Sequence, residues 1–177
     1  MFDKPYRFHG LHAKKTRELM AIFDANSKAQ FFKYAKEIYA YAPLVGFLYN
    51  RRADIDHTKD PERNEEYDVN VMAEQVLSVN EELSLNFCLI MLLDSAYEPD
   101  EEARIDKAFR FFGKIPEDEA RFDEYVRGGV EVLYEKLIEG GGDPEDYVRR
   151  LYDFLEDIND RYNSDVDVDK LLSLCVK

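Results

Sequence analysis

The chain has no tryptophan, two cysteines and three histidines, and no uninterrupted apolar run near the ~20 residues that a membrane-spanning helix needs. Each shortage excludes a class. Cys88 and Cys175 cannot make a disulfide framework. There is no HExxH and no paired Cys/His spacing, so no zinc signature. There is no phosphate-cradling loop: Gly140, Gly141 and Gly142 follow a helical pattern and lack the Lys-Ser/Thr ending. A nucleophile elbow is missing too. The opening residues, MFDKPYRFHG, hold no long apolar stretch, so a cytoplasmic protein without a membrane segment is expected.

What is present points to a folded chain. Hydrophobic residues make up 45% and aromatics 14%, too much for a disordered polymer. Its 177 residues read as one domain spanning 1–177. With tryptophan missing, the 12 Phe and 12 Tyr must supply the core's bulk. The net charge of −14 is unevenly spread. Residues 1–60 hold 11 Lys/Arg against 7 Asp/Glu, and residues 61–177 hold 13 against 31. So acidic a body repels phosphate backbones, which leaves nucleic acid only a local foothold on the basic N-terminal third. Solvated helix faces are the plain alternative for those basic residues.

Periodicity reads as helix nearly throughout. Leu11, Leu19, Ile22 and Phe23 mark a first helix over 11–24. Ser27 reads as the N-cap of a second, with Phe31, Phe32, Ala35, Ile38, Tyr39 and Ala42 on one face and Pro43 as its end or kink. PLVGFLYN follows as another apolar helix, in which Gly46 marks a close neighbour. Residues 50–68 are polar and aperiodic around Pro61: a long loop of the functional or mobile kind. Val69–Val79 reads as a short helix, and the run ending at Leu93 as a central helix buried all round. Pro99 and Asp100 open a helix with the stripe Ile105, Ala108, Phe109 and Phe112. Pro116 starts the longest helix, where Gly128 and Gly129 indicate either a close helix crossing or a kink. Asp143 and Pro144 start the next, whose inward face reads as Val148, Leu151, Tyr152, Leu155 and Ile158. Leu171, Leu172 and Leu174 suggest a short last helix. The expected fold is all-α: a single compact domain of about seven or eight helices around a Phe/Tyr/Leu-rich core.

Chemistry-bearing residues are few. His9 and His12 stand three apart and would share a metal if helical, with His57 and the Asp-rich segments as further ligands. Scattered surface or capping histidines explain them better, and no metal or cofactor is expected. The run from Asp157 to Asp169 fails the EF-hand test, with Tyr162 at the sixth position and Val168 at the twelfth. Asp94 ends an apolar run; if buried it needs a cation, with Arg104 or Arg110 nearby in sequence. Cys88 reads as a small core hydrophobe. Arg51 and Arg52, directly after an apolar helix, suit either the helix dipole or recognition of a carboxylate or phosphate. With Lys14, Lys15 and Arg17 they form the candidate binding set.

The segment FFKYAKEIYAYAPLVGFLYNRRADID (31–56), with its GF-x-x-x-R-R ending, resembles the opening of small helical accessory proteins of prokaryotic DNA-phosphorothioation and restriction gene clusters. LIMLLD and GGVEVLYEKLIEG extend the likeness at pattern level. The resemblance implies an accessory role in DNA modification or phage defence and assigns no active residue. The expectation is a non-enzymatic acidic adaptor acting by protein–protein contact, its partner another protein or a second copy of itself. A nucleic-acid mimic that occupies a DNA-binding protein, and a metal-dependent enzyme built on the His/Asp clusters, are the alternatives.

Overall fold

The computed structural model describes residues 1–162, and there the fold is mostly helical. Strand β1 (Tyr6–His9) leads into α1 (Gly10–Leu19) and α2 (Ala35–Leu48). Strand β2 (Asp68–Val71) is followed by α3 (Ala73–Leu77), α4 (Asn80–Leu93) and α5 (Glu101–Ile105). A π-helical turn (Asp106–Arg110), α6 (Pro116–Leu137) and α7 (Pro144–Tyr162) complete it. The expected last helix around Leu171, Leu172 and Leu174, most of the acidic run to Asp169, and Cys175 lie outside the described residues.

Helix α6 is the spine, and α2 crosses it at backbone contact. A methyl group on Gly129 would strike the Ala42 carbonyl, and one on Gly46 would strike the Tyr125 carbonyl. Gly128 is held open for the Arg51 carbonyl, where the chain leaves α2. The glycine pair is thus a crossing point and not a kink. Pro43 does not end α2, which runs unbroken from Ala35 to Leu48. Here the packing of Ile38, Ala42, Val45 and Gly46 outweighs the one backbone donor that proline removes.

Around this crossing lies an aromatic core. Phe2, Phe87, Phe112 and Phe122 meet edge-on or tilted at centroid distances of 5.1–6.4 Å. Tyr6 stacks on Tyr39 at 4.1 Å. Leu19, Ile38, Leu83, Ile90 and Leu137 fill the rest with almost no exposure.

Several local expectations change, beginning with the first helix, which ends at Leu19 and leaves Ile22 and Phe23 beyond it. Ser27 caps nothing: its hydroxyl donates to Asp24, which also takes the Asn26 N–H, closing a turn ahead of α2. Helix α2 starts at Ala35 instead, where the Glu37 carboxylate accepts the N–H groups of Lys33 and Tyr34. Within 69–79 only Ala73–Leu77 is helical, because Val69 and Val71 pair opposite Phe8 and Tyr6 in a two-stranded antiparallel ribbon. Helix α4 is buried on one face only; Leu85 and Leu93 are exposed. After Asp100 caps α5 through the Ala103 N–H, the π turn changes the phase, so Phe109 points outward while Ala108 is buried.

Residues 50–68 form a strap bonded to the body. The Ala53 N–H donates to the Glu124 carbonyl, and Arg127 donates to the Ala53 carbonyl. Asp56 accepts the Leu11 N–H and both the N–H and hydroxyl of Thr58. The Gly10 N–H donates to the Tyr67 carbonyl.

The crossing predicts a sharp contrast between two glycine substitutions. Gly129→Ala should cost at least ~3 kcal/mol in urea unfolding, since backbone must move. Gly141→Ala, at φ +60 with open space around it, should cost only about 1 kcal/mol.

Candidate functional site

The surface that departs furthest from its sequence pattern is on α7. Val148, Leu151, Tyr152, Leu155 and Ile158 follow helical spacing and read as its inward face. In the fold the first four are exposed, Tyr152 by 65% and Leu155 by 56%, and Ile158 is half-buried against the core as expected. Helix α7 is anchored by its other apolar line. Phe154 stacks on Tyr49, and Tyr147 packs against Phe23 and Phe31. The helix has two apolar lines, and periodicity cannot say which one meets the core.

Between α7, α2 and the turn before α2 lies an apolar cavity of about 410 Å³, lined by Phe31, Phe32, Tyr41, Leu44, Leu151 and Leu155 among others. Tyr41 at its edge is 58% exposed. The stripe and the cavity together make one apolar face. The same helix carries Glu145, Asp146, Asp153, Glu156 and Asp160 with Arg149 and Arg150 between them.

The expected basic binding set is engaged within the chain. Arg51 donates to Glu131 at 3.5 Å and to Glu135 at 3.2 Å, and Arg52 donates to Glu124 at 3.1 Å. On α1, Lys14 stands 4.0 Å from Glu18, and Lys15 lies over the Tyr134 ring. Arg17 donates to the Asp68 carbonyl and lies over Tyr67. These side chains make ion pairs, hydrogen bonds and ring contacts with α6, β2 and the residues beside them.

Asp94 is buried, and its partner is neither of the two arginines near it in sequence. Arg121 and the Tyr125 hydroxyl both donate to it at 2.8 Å, and the Tyr97 N–H donates at 3.1 Å. Arg104 instead donates to the carbonyls of Leu92, Glu98 and Pro99, and Arg110 pairs with Asp106. Asp118 is likewise buried and takes the Tyr97 hydroxyl and the Lys107 ammonium. Both carboxylates tie α4, the π turn and α6 together. Cys88 is half-buried with its thiol toward the Ala108 carbonyl, and burial pushes that thiol's pKa up.

The histidines sort differently from their spacing. His9 ends a strand, so it does not share a helical face with His12. His12 is buried against Glu131 at 3.3 Å, and burial holds its imidazole below the ordinary value against the pull of Glu131. His9 and His57 meet instead. Each places Nδ1 2.8 Å from the same oxygen of Glu66, and these bonds, His57's first, hold Glu66 below the usual carboxylate range. Sequence reasoning missed Glu66. The available signal was the Pro61 turn, which folds Lys59 back onto Glu66.

On the side of β1, two small cavities of about 140 and 210 Å³ share Tyr6 and Asp123. Burial lifts the Asp123 carboxyl to about 6, with Arg127 pulling it down and Glu119 adding to the rise. No family model matches the chain, and no curated protein or solved structure does either.

Asp123 carries a pH signature. Its folded value lies above its ordinary 3.8, so the folded state holds the proton longer, and stability contributed by this group falls as pH rises from about 4 through 6. Asp123→Asn should therefore stabilise the protein at pH 7.5 by about 2 kcal/mol, with the gain shrinking toward zero at pH 4. Urea midpoints at the two pH values check this.

Proposed function

We propose that this protein works by contact, as a non-enzymatic helical adaptor whose docking face is the outward stripe of α7 and the adjoining cavity. The observation that carries the reading is the exposure of Val148, Leu151, Tyr152 and Leu155 as one continuous helical stripe. Single exposed apolar side chains need no explanation, whereas an ordered stripe beside an apolar groove marks an interaction surface. The occupant that fits is an amphipathic helix of a partner protein with basic flanks. Its apolar face meets the stripe, and its Lys/Arg residues face the acidic residues of α7. The acidity of residues 61–177 steers such a partner and makes the encounter salt-sensitive. The setting, a DNA-modification or phage-defence system, is supported only by the resemblance of residues 31–56. Among the described residues no helix is long and apolar enough to cross a membrane.

A photoreactive benzoylphenylalanine in place of Tyr152, activated in the native cell, tests the reading. The expected product is an adduct with one other protein, mapped to a basic amphipathic segment. Adding Leu155→Asp should reduce the yield by about tenfold or more. An adduct confined to residues 163–177 of the same chain, or to a second copy, overturns the proposal, as does no adduct at all.

A further inference from the structure

His9 at the end of β1 and His57 and Glu66 on the strap meet in the fold, their ligand atoms within 4.8 Å of one another. The two imidazole rings stand 5.6 Å apart at 65° to each other, so both Nδ1 atoms converge on one carboxylate. We infer that these three side chains form a binding site for a divalent transition metal of the zinc class.

The arrangement is set by backbone bonds that do not involve the three side chains. His9 is the last residue of β1, held opposite Asp68 in the ribbon. The next residue, Gly10, is bonded to the Tyr67 carbonyl, which follows Glu66 directly. His57 lies between Asp56, which accepts the Leu11 N–H, and Thr58, whose carbonyl accepts the Tyr67 N–H. The bridge between Lys59 and Glu66 closes the strap's turn. The donors therefore need no gathering when an ion arrives, which removes much of the ordering cost of binding.

The donor set selects the class of ion. Two imidazole nitrogens and one carboxylate oxygen suit zinc, cobalt or nickel, whereas calcium and magnesium take oxygen ligands. Zinc bonds of about 2.0–2.1 Å in a tetrahedron put ligand atoms roughly 3.3 Å apart. The 2.8 Å contacts of the hydrogen-bonded triad must then open by about half an ångström. His57, which is exposed, has room to make that adjustment. Each imidazole turns its ring proton from Nδ1 to Nε2 as the ion takes the nitrogen. Three protein ligands leave a fourth position for water or an outside donor.

The consequence is mechanical. An ion here joins residue 9 to residues 57 and 66, and so fastens the strap to the ribbon and to the start of α1. The site is remote in function from the α7 face and does not rest on the docking proposal.

The test uses the full-length chain without a histidine tag, freed of metal, and titrated with cobalt(II). The expected result is one equivalent bound with the intense visible absorption of a four-coordinate nitrogen/oxygen site. Zinc should displace the cobalt and raise the melting temperature. His57→Ala and Glu66→Gln should lose the absorption and the thermal shift, while Glu65→Gln, on the exposed neighbour, keeps both. Melting temperatures in EDTA show whether each variant still folds. Cobalt binding that survives equally in His57→Ala and Glu66→Gln overturns the site, placing the ion on other residues. Failure of the parent chain to bind cobalt overturns it as well, leaving a hydrogen-bonded triad only.

Discussion

The backbone-to-backbone approach of α2 and α6 is the constraint on which the remaining structure depends. Three glycines and Ala42 remove the side chains that would hold the helices apart, so carbonyl groups fill the space where Cβ atoms would stand. Because the contact is between backbones, its geometry cannot drift by side-chain rotation. It fixes where α2 ends, and Gly128 then lets the Arg51 carbonyl pass against α6. From that point the strap runs to Asp56, His57 and Glu66. The crossing thus fixes where the strap that carries His57 and Glu66 departs.

The uneven charge of the sequence takes on a structural meaning in the fold. The basic residues near the chain's start are set against glutamates of α6: Arg51 with Glu131 and Glu135, and Arg52 with Glu124. These pairs are half exposed, so each contributes little to stability. They set positive charge at the start of the strap against negative charge on α6. The two buried carboxylates, Asp94 and Asp118, are of another kind. Removing a partner from either would strand a charge in a nonpolar setting, so they specify how α4 and the π turn sit on α6.

Much of this was legible in the residues. The opening of a helix at Asp100, Pro116 and Pro144 as helix starts, and the Gly128–Gly129 crossing are all written in local chemistry. What was not legible depended on partners distant in sequence. The ribbon needs Tyr6 and Phe8 to meet Val71 and Val69, and a four-residue strand carries too little pattern to announce that. Arg121 rather than Arg104 serves Asp94, because α6 folds back onto the end of α4. The face of α7 was misread because both of its apolar lines obey helical spacing. Of the candidate sites, the histidines were recognised as ligand types, but their meeting point on Glu66 required the fold.

The joint before α7 has a consequence of its own. Gly140, Gly141 and Gly142 all have positive φ, and nothing lies near where a side chain on Gly141 would stand. Arg150 bridges it, donating to the carbonyls of Glu139 and Gly141. Only Gly141 stands in open space, since a side chain on Gly140 would meet Arg150 and one on Gly142 would meet Asp146. The joint is therefore most tolerant of an added residue at Gly141, where α7 could shift while the crossed pair beneath it stays as it is.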